Sequence, residues 1–496
     1  MLPVFLGGRE NNGERFVISR APELDQSPVK LAAALKMKRH MLLLSLLSLL
    51  QFVLAHFVLI QQFPNSGDEQ AYLYQAELFS RGQLYAEDPI YDRAHPLNKF
   101  VAADAMDDTE GRRFSKYDPG WPALLSLGAW LRMEGLVAPL LGALTVFLLL
   151  SYVRKRIGNE FVTTAWRLVT LCSFFFLSVS NFGSHTASMA FLFSAFFLYD
   201  GTIERPPEHC RWRLLSVGLL LGYASLIRYI DWIPLLGWIA FDLLRQRKTK
   251  GLILVLLGFG LLASLHLFYN KLVTGNALTP PGVHFARGSV EVHFGFFLTG
   301  FETTAIRLRR VLYAFPPASL ILLCLIRPCR SVRLKAYLTL FALNVIVYFL
   351  YAGGVAGPGP RYYFPYFPFL ILAVVEVYRL TRSHKIARIG WPAAVASLVV
   401  CSFIYADGQT RDIYKRRDLE RTVAAIPEKK KIILLESGTY KMEIPDLVRN
   451  PPDLWSADIL YLAYGDGVGI ADLLKRFPGH SVFLYRYPGS LRPWKG

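Results

Sequence analysis

Long apolar runs separated by short polar turns dominate this chain. They fall at 41–62, 135–153, 161–180, 185–202, 213–229, 230–244, 251–270, 311–326, 335–352, 362–380 and 391–406. Each is close to the ~20 residues a helix needs to cross the hydrocarbon of a bilayer, so the pattern predicts about eleven transmembrane helices. Two longer polar segments, 64–134 and 271–310, interrupt the series, and a third, 407–496, follows it. In that last segment the period changes. Lys431 to Glu436, Asp458 to Leu462 and Ser481 to Tyr485 read as short buried strands, with helical stretches between them, notably Ile470 to Phe477. The expected architecture is an all-α polytopic membrane protein with a small C-terminal α/β domain. Its parts are a tail over 1–40, a membrane domain over 41–406 and the α/β domain over 407–496.

Composition agrees with a membrane setting. Of 496 residues, 53% are hydrophobic and only 19% charged, which excludes a soluble enzyme with a large core. The formal net charge of +18 would suit nucleic acid if it lay in one patch. Instead the cations cluster in alternate short loops: Arg154, Lys155 and Arg156; Arg205, Arg211 and Arg213; Arg245, Arg247, Lys248 and Lys250; Arg327, Arg330, Arg333 and Lys335; Arg379, Arg382, Lys385 and Arg388. That is the positive-inside pattern, so no nucleic-acid partner is expected. It puts the N-terminus in the cytoplasm and the segments 64–134, 271–310 and 407–496 outside. The first 40 residues read as a cytoplasmic tail rather than a cleaved signal, because the apolar run after them is long enough to span. Five cysteines, at 172, 210, 324, 329 and 401, lie in apolar runs or short basic loops, so neither a structural disulfide nor a cysteine zinc site is expected.

Candidate chemistry gathers on the outer side. Ser66 followed three residues later by Glu69 has the form of a capping box, so a helix should start there and stop at Arg81-Gly82. On it Asp68, Tyr72 and Gln75 share a face. Glu69 is either the cap or a chemical group; Asp68 is either a first-turn acid facing the helix dipole or a catalytic one. The first outer segment ends in Lys116-Tyr117-Asp118-Pro119-Gly120-Trp121-Pro122, a rigid turn preceded by cations that either anchor to headgroups or meet substrate. A glycine and proline hinge from Gly353 to Pro360 delivers Arg361 to the mouth of a span, where a guanidinium either snorkels or binds an anion such as phosphate.

Other candidates are His185, Arg228 with Asp231, and the second outer segment with His284, Arg287 and His293. The histidines have no third ligand at metal spacing, and the acids Asp104, Asp107, Asp108 and Glu110 are a loop cluster that either holds a divalent cation or is merely solvated. Gly465-Asp466-Gly467-Val468-Gly469 reads as a turn rather than a phosphate loop. An acid beside cations at the outer surface fits attack of a hydroxyl on a sugar whose leaving group is a lipid phosphate. Arginine and lysine can stabilise that phosphate, so neither a cofactor nor a metal is required in principle. A transporter or flippase for lipid-linked sugars, and a non-catalytic assembly protein, are the alternatives; the former should show repeats and broken helices near the midplane.

Gly67-Asp68-Glu69-Gln70-Ala71-Tyr72-Leu73-Tyr74-Gln75-Ala76 with Gly82-Gln83-Leu84-Tyr85 resembles the GT-C superfamily of membrane glycosyltransferases. Within it, the resemblance is to the branch holding protein O-mannosyltransferases and the lipid A aminoarabinosyl and galacturonosyl transferases. The turn Tyr117 to Pro122 and the motif Arg361-Tyr362-Tyr363-Phe364-Pro365 are similar to that branch, although its turn often reads Lys-Pro-Pro. The resemblance covers roughly 41–406. It implies a polyprenyl-phosphate sugar donor, inversion at the anomeric carbon, Asp68 as base, and Lys116 and Arg361 near the donor phosphate. The acceptor is expected to be an envelope glycan, lipid or protein, and the C-terminal segment matches no acceptor-binding domain that would choose among them. The terminal segments look like those of bacterial relatives, which implies a bacterial inner membrane.

Overall fold

A computed structural model describes residues 28–87, 106–109, 112–202, 210–286, 295–323, 331–350, 359–436, 450–464, 470–486 and 490–494. Helix α1 (Pro28–Leu54) continues through a π-helical turn, Ala55–Leu59. Helix α2 (Gly67–Ser80) leads to three short strands, β1 (Ala86–Glu87), β2 (Met106–Thr109) and β3 (Arg112–Ser115), paired antiparallel in the order β1-β3-β2. There follow α3 (Gly120–Trp130), α4 (Glu134–Arg156), α5 (Val162–Thr170), α6 (Ser173–Ser178), α7 (His185–Asp200), α8 (Arg211–Ile227), α9 (Ile233–Arg245), α10 (Thr249–Thr274), α11 (Pro281–Ala286) and α12 (Gly295–Ala314). After a 3₁₀ turn (Pro316–Leu322) come α13 (Val332–Phe349), a second 3₁₀ turn (Arg361–Tyr366) running into α14 (Phe367–Thr381), and α15 (Lys385–Ala424).

Every apolar run contains helix, but among the described residues six helical stretches are long and apolar enough to cross a membrane: Leu35–Leu59, Glu134–Arg156, Thr249–Thr274, Val332–Phe349, Arg361–Thr381 and Lys385–Ala424. The remaining runs are shorter or broken, for readable reasons. The run at 161–180 parts between α5 and α6, where the Ser402 hydroxyl on α15 donates to the Leu171 carbonyl (2.6 Å) and accepts from the Ser173 N–H (3.0 Å). One side chain thus restores the backbone bonds that the break removes, as a low-dielectric site demands. The run at 311–326 is not one span: α12 ends at Ala314 because Pro316 and Pro317 cannot continue an α-helix, and it begins at Gly295, inside the segment read as an outer loop.

Two packing features hold the bundle. The run Phe367 to Val377 on α14 is buried throughout and apolar but for Glu376, whose carboxylate accepts from Ser331 and Arg379. Helices α8 and α10 touch through glycines, Gly218 and Gly222 on one and Gly258 on the other. A Cβ on Gly218 would lie 2.1 Å from the Val255 carbonyl oxygen, and one on Gly258 2.4 Å from that of Leu215. Close backbone approach through small residues is how helices associate where apolar burial gives little drive.

Helix α15 runs past Ala406, where the apolar pattern ends, to Ala424. Its C-terminal carbonyls are capped by the buried Lys431 ammonium, which donates to Val423 (2.8 Å) and Ile426 (3.1 Å). Lys431 opens β4 (Lys431–Glu436), which pairs in parallel with both β5 (Ile459–Tyr464) and β6 (Ser481–Arg486); β7 (Ser490–Pro493) closes the sheet antiparallel to β6. The order is β5-β4-β6-β7, and α16 (Ile470–Arg476) buries Leu473 against one face. Cys172, Cys210 and Cys401 are free thiols. Cys324, Cys329, Arg205, Arg327, Arg330 and the 465–469 glycine segment lie outside the described residues.

Candidate active site

The site is built from five places far apart in sequence. Helix α2 starts with Ser66 as N-cap, its hydroxyl accepting from the Glu69 N–H at 3.2 Å. The reciprocal arm differs from the expected box by one residue, since Glu69 Oε2 accepts from the Asn65 N–H (2.9 Å) rather than from Ser66. Asn65 is itself tied to Gln409 on α15 (3.1 Å), which carries the chain across at that point. The buried Glu69 carboxylate is therefore turned back toward the helix start, leaving Asp68 as the acid that faces the other elements. The helix stops as its sequence predicts: Gly82 takes φ +72° and the Gln83 N–H bonds the Leu78 carbonyl at 2.9 Å.

The turn before α3 brings Tyr117 to Asp68, its phenol donating to Asp68 Oδ1. Asp118 is buried and lies 3.0 Å from His266 Nε2 on α10, fastening the turn to that helix. Gly120 then permits α3 to abut α8, since a Cβ there would sit 2.6 Å from the Leu226 carbonyl carbon. Trp121 locks the same corner by donating to the Phe182 carbonyl (2.6 Å). Arg228, one residue past α8, is thereby held beside the turn.

Arg361 opens the 3₁₀ turn after Gly359, whose φ of +64° and whose contact with the Phe174 ring (2.5 Å from a built Cβ) both require glycine. Its Nη1 donates to Asp68 Oδ2 at 3.2 Å, so the two residues, 293 positions apart, form an ion pair. Lys116 places its Nζ 5.5 Å from the centre of the Tyr117 ring. Tyr72 stacks obliquely on Tyr117 (centroids 4.6 Å apart) and shares a hydrogen bond with Ser184 (3.0 Å). Ser184 in turn accepts from Arg228 Nη1 (3.3 Å). Gln75 serves the scaffold instead. It accepts from the Ser115 N–H and donates to the Leu84 carbonyl, joining α2 to β3.

A second layer holds the arginines. Arg228 Nε lies 3.0 Å from Asp231 Oδ2, and Asp231 is wholly buried, accepting also from Ser188 (2.7 Å) and from the Tyr348 phenol. Arg228 Nη2 donates to Tyr348 (3.0 Å) and Arg307 Nη1 to the Tyr348 carbonyl (2.8 Å). Three guanidinium groups converge on one ring: Tyr362 has Arg307 at 4.8 Å, Arg361 at 5.2 Å and Arg228 at 5.9 Å from its centroid, with the His185 ring 6.2 Å away. Aromatic faces attract cations and so allow several to gather where mutual repulsion would otherwise scatter them. Burial pushes the Tyr72 and Tyr117 phenols above their ordinary value and the Asp68 charge adds to it, so Tyr117 remains a donor to Asp68.

Asp68, Tyr72, Lys116, Tyr117, His185, Arg228 and Arg361 thus belong to one constellation, with Glu69 adjacent but turned away. Arg287, Asp104, Glu110, His293 and the Gly353 to Pro358 hinge lie outside the described residues, and Asp107 and Asp108 fall on β2. No group of three or more metal-ligating side chains occurs among the described residues. Sequence reading missed Arg307 and Tyr348, and named Tyr362 only within the Arg361 motif. The usable signal was a cation and two tyrosines in or beside apolar helices, where polar groups are costly unless partnered.

The chain is a helical bundle with six stretches, among the described residues, long and apolar enough to cross a membrane, and it carries an acid, a row of arginines and an aromatic platform at one end. The chain is similar to ArnT from Cupriavidus metallidurans bound to undecaprenyl phosphate, with a TM-score of 0.52 and 12% identity over 89% of this chain and 92% of that one. The apo structure of the same protein aligns over 90% and 92% at the same TM-score and identity. No family model and no curated protein matches the sequence.

Proposed function

We propose that the chain is an inverting glycosyltransferase of the outer face of a bacterial inner membrane, with a cytoplasmic N-terminus. It moves a sugar from a polyprenyl-phosphate donor to a hydroxyl of an envelope glycan, lipid or protein. The observation that carries this is the meeting of Asp68 and Arg361 at 3.2 Å from opposite ends of the membrane domain. A base and a phosphate clamp must work on one reacting carbon, and this contact supports that pairing of roles. The fold shared with ArnT, which has been captured with undecaprenyl phosphate, supports a polyprenyl-linked donor.

In this reading the donor phosphate takes the place of Asp68 on Arg361, with Lys116, Arg228 and Arg307 adding positive potential. Asp68, released from the pair but still hydrogen-bonded by Tyr117, accepts the proton of the acceptor hydroxyl. That oxygen bonds to the anomeric carbon from the face opposite the phosphate as the carbon–oxygen bond to phosphate breaks. The electron pair leaves with polyprenyl phosphate, whose charge the guanidinium groups stabilise. Protein cations supply the charge that a metal would, so the proposed reaction uses no metal or other cofactor.

The test is transfer of label from a mixed pool of polyprenyl-phosphate sugars in membranes carrying wild type or Asp68→Asn, with EDTA in parallel. Transfer by wild type that survives EDTA and disappears in a folded, normally inserted mutant is the expected result. Full transfer by the mutant, or none by wild type from any donor, overturns the proposal.

A further inference from the structure

At the far end of the bundle, α5, α14 and α15 enclose a cavity of about 400 Å³ that plays no part in the site above. Arg361 and Arg382 bracket α14, and the 20 residues between them correspond to roughly 30 Å of helix, the thickness of a bilayer's hydrocarbon core. The cavity has a basic rim and an apolar floor. Arg167, Arg382 and Arg388 line its mouth, and the wall then runs along α15 to Leu398, ten residues or about 15 Å deeper than Arg388. Arg382 lies 3.9 Å from Glu160, whereas Arg167 and Arg388 make no ion pair among the described residues.

Between rim and floor stands Trp391. It is 7% exposed, its ring packs on Tyr378 (centroids 4.4 Å apart), and its indole N–H has no acceptor although it lines the cavity. A buried donor without a partner is costly, and an occupant carrying an acceptor just inside the cationic rim would satisfy it. A free anion would match the rim alone; the depth and the apolar wall require a tail.

We propose that this cavity holds an anionic phospholipid from the leaflet opposite the Asp68 site. Its phosphate lies among the three arginines, its ester oxygen accepts from Trp391, and one acyl chain runs toward Leu398. The occupant braces α15 against α5 at the helix break that Ser402 bridges.

The full-length chain in detergent is titrated with dioleoyl phosphatidylglycerol or dioleoyl phosphatidylcholine, and bound lipid is counted by native mass spectrometry. One phosphatidylglycerol per chain should bind at least about tenfold tighter than phosphatidylcholine, which lacks the net charge. Two lost basic contacts should weaken phosphatidylglycerol binding about thirtyfold in Arg167→Gln with Arg388→Gln, while polyprenyl phosphate binding stays at the wild-type level. Trp391→Phe, which keeps the ring and removes only the donor, should cost about fivefold. Equal affinity for the two lipids, or unchanged phosphatidylglycerol binding in the double variant, overturns the assignment. So does displacement of the lipid by millimolar inorganic phosphate, which would make this a free-anion site. A parallel fall in polyprenyl phosphate binding would instead join the cavity to the donor path and overturn it too. If the double variant fails to fold, the wild-type lipid comparison and Trp391→Phe still decide.

Discussion

Asp68→Asn is expected to do two opposite things: abolish transfer and tighten the grip on polyprenyl phosphate. In the structure Arg361 Nη1 is occupied by Asp68 Oδ2 at 3.2 Å, so an incoming phosphate must separate them. The side chains are 24% and 33% exposed. That places the pair between exposed pairs, worth ~0.2–1 kcal/mol, and buried ones, whose disruption costs ~3–5 kcal/mol. A value of about 1–2 kcal/mol corresponds to about 5- to 30-fold in affinity. Asparagine keeps the shape of Asp68 and removes its charge, so the variant should gain that factor. Arg361→Gln should do the reverse, losing charge-assisted hydrogen bonds of ~1.5–3 kcal/mol and hence about 10- to 150-fold in affinity. Titration of the purified chain with polyprenyl phosphate, by thermophoresis in detergent at low and high salt, reads both numbers. The gain should shrink as salt screens the pair. If Asp68→Asn binds no tighter than wild type while Arg361→Gln binds more weakly, Asp68 does not compete with the phosphate, and the exchange of partners on Arg361 is refuted.

Three further outcomes follow from the packing and charge. Asp231→Asn leaves the mostly buried Arg228 beside a neutral group; removing one partner of a buried pair should cost ~3–5 kcal/mol, read as a fall in the thermal midpoint, and an unchanged midpoint would show that water reaches the pair. Gly218→Ala puts a methyl 2.1 Å from the Val255 carbonyl oxygen, where only backbone movement can relieve it. A loss of ~1–3 kcal/mol is expected, and wild-type stability would mean that α8 and α10 do not meet there. In the C-terminal sheet, Arg486 on β6 holds the Glu436 carboxyl below its ordinary value of 4.5. A depressed carboxyl stabilises the fold above its unfolded value, and the contribution fades as pH falls through the lowered one. Glu436→Gln should therefore lower the midpoint at pH 7 and converge with wild type toward pH 3; a constant difference across that range would assign the effect to packing.

The membrane class, the places of the helices, the cap that starts α2 and the glycine that ends it were legible in the sequence, because each rests on interactions within a few residues. Hydrophobic run length and capping geometry are local, and so are the short continuous apolar runs that mark β4 and β6. The sequence also offered Asp68 and Arg361 separately, each as an ionisable group at the mouth of a span, with Asp68 open between a helix-start acid and a catalytic one. Only tertiary structure put them in contact, since nothing within 293 positions of chain encodes a 3.2 Å distance. The same holds for the Tyr362 platform: a tyrosine beside Arg361 carries no signal of its own until Arg307 and Arg228 arrive on other helices. The length of single helices was likewise decided in three dimensions. Ser402 on α15 makes the break after Thr170 tolerable, and the Gly218 and Gly258 contact lets α8 serve as a short helix against the long α10. Local order is written residue by residue, whereas a site that gathers several cationic and acidic groups from separate helices exists only once packing has met the cost of burying them.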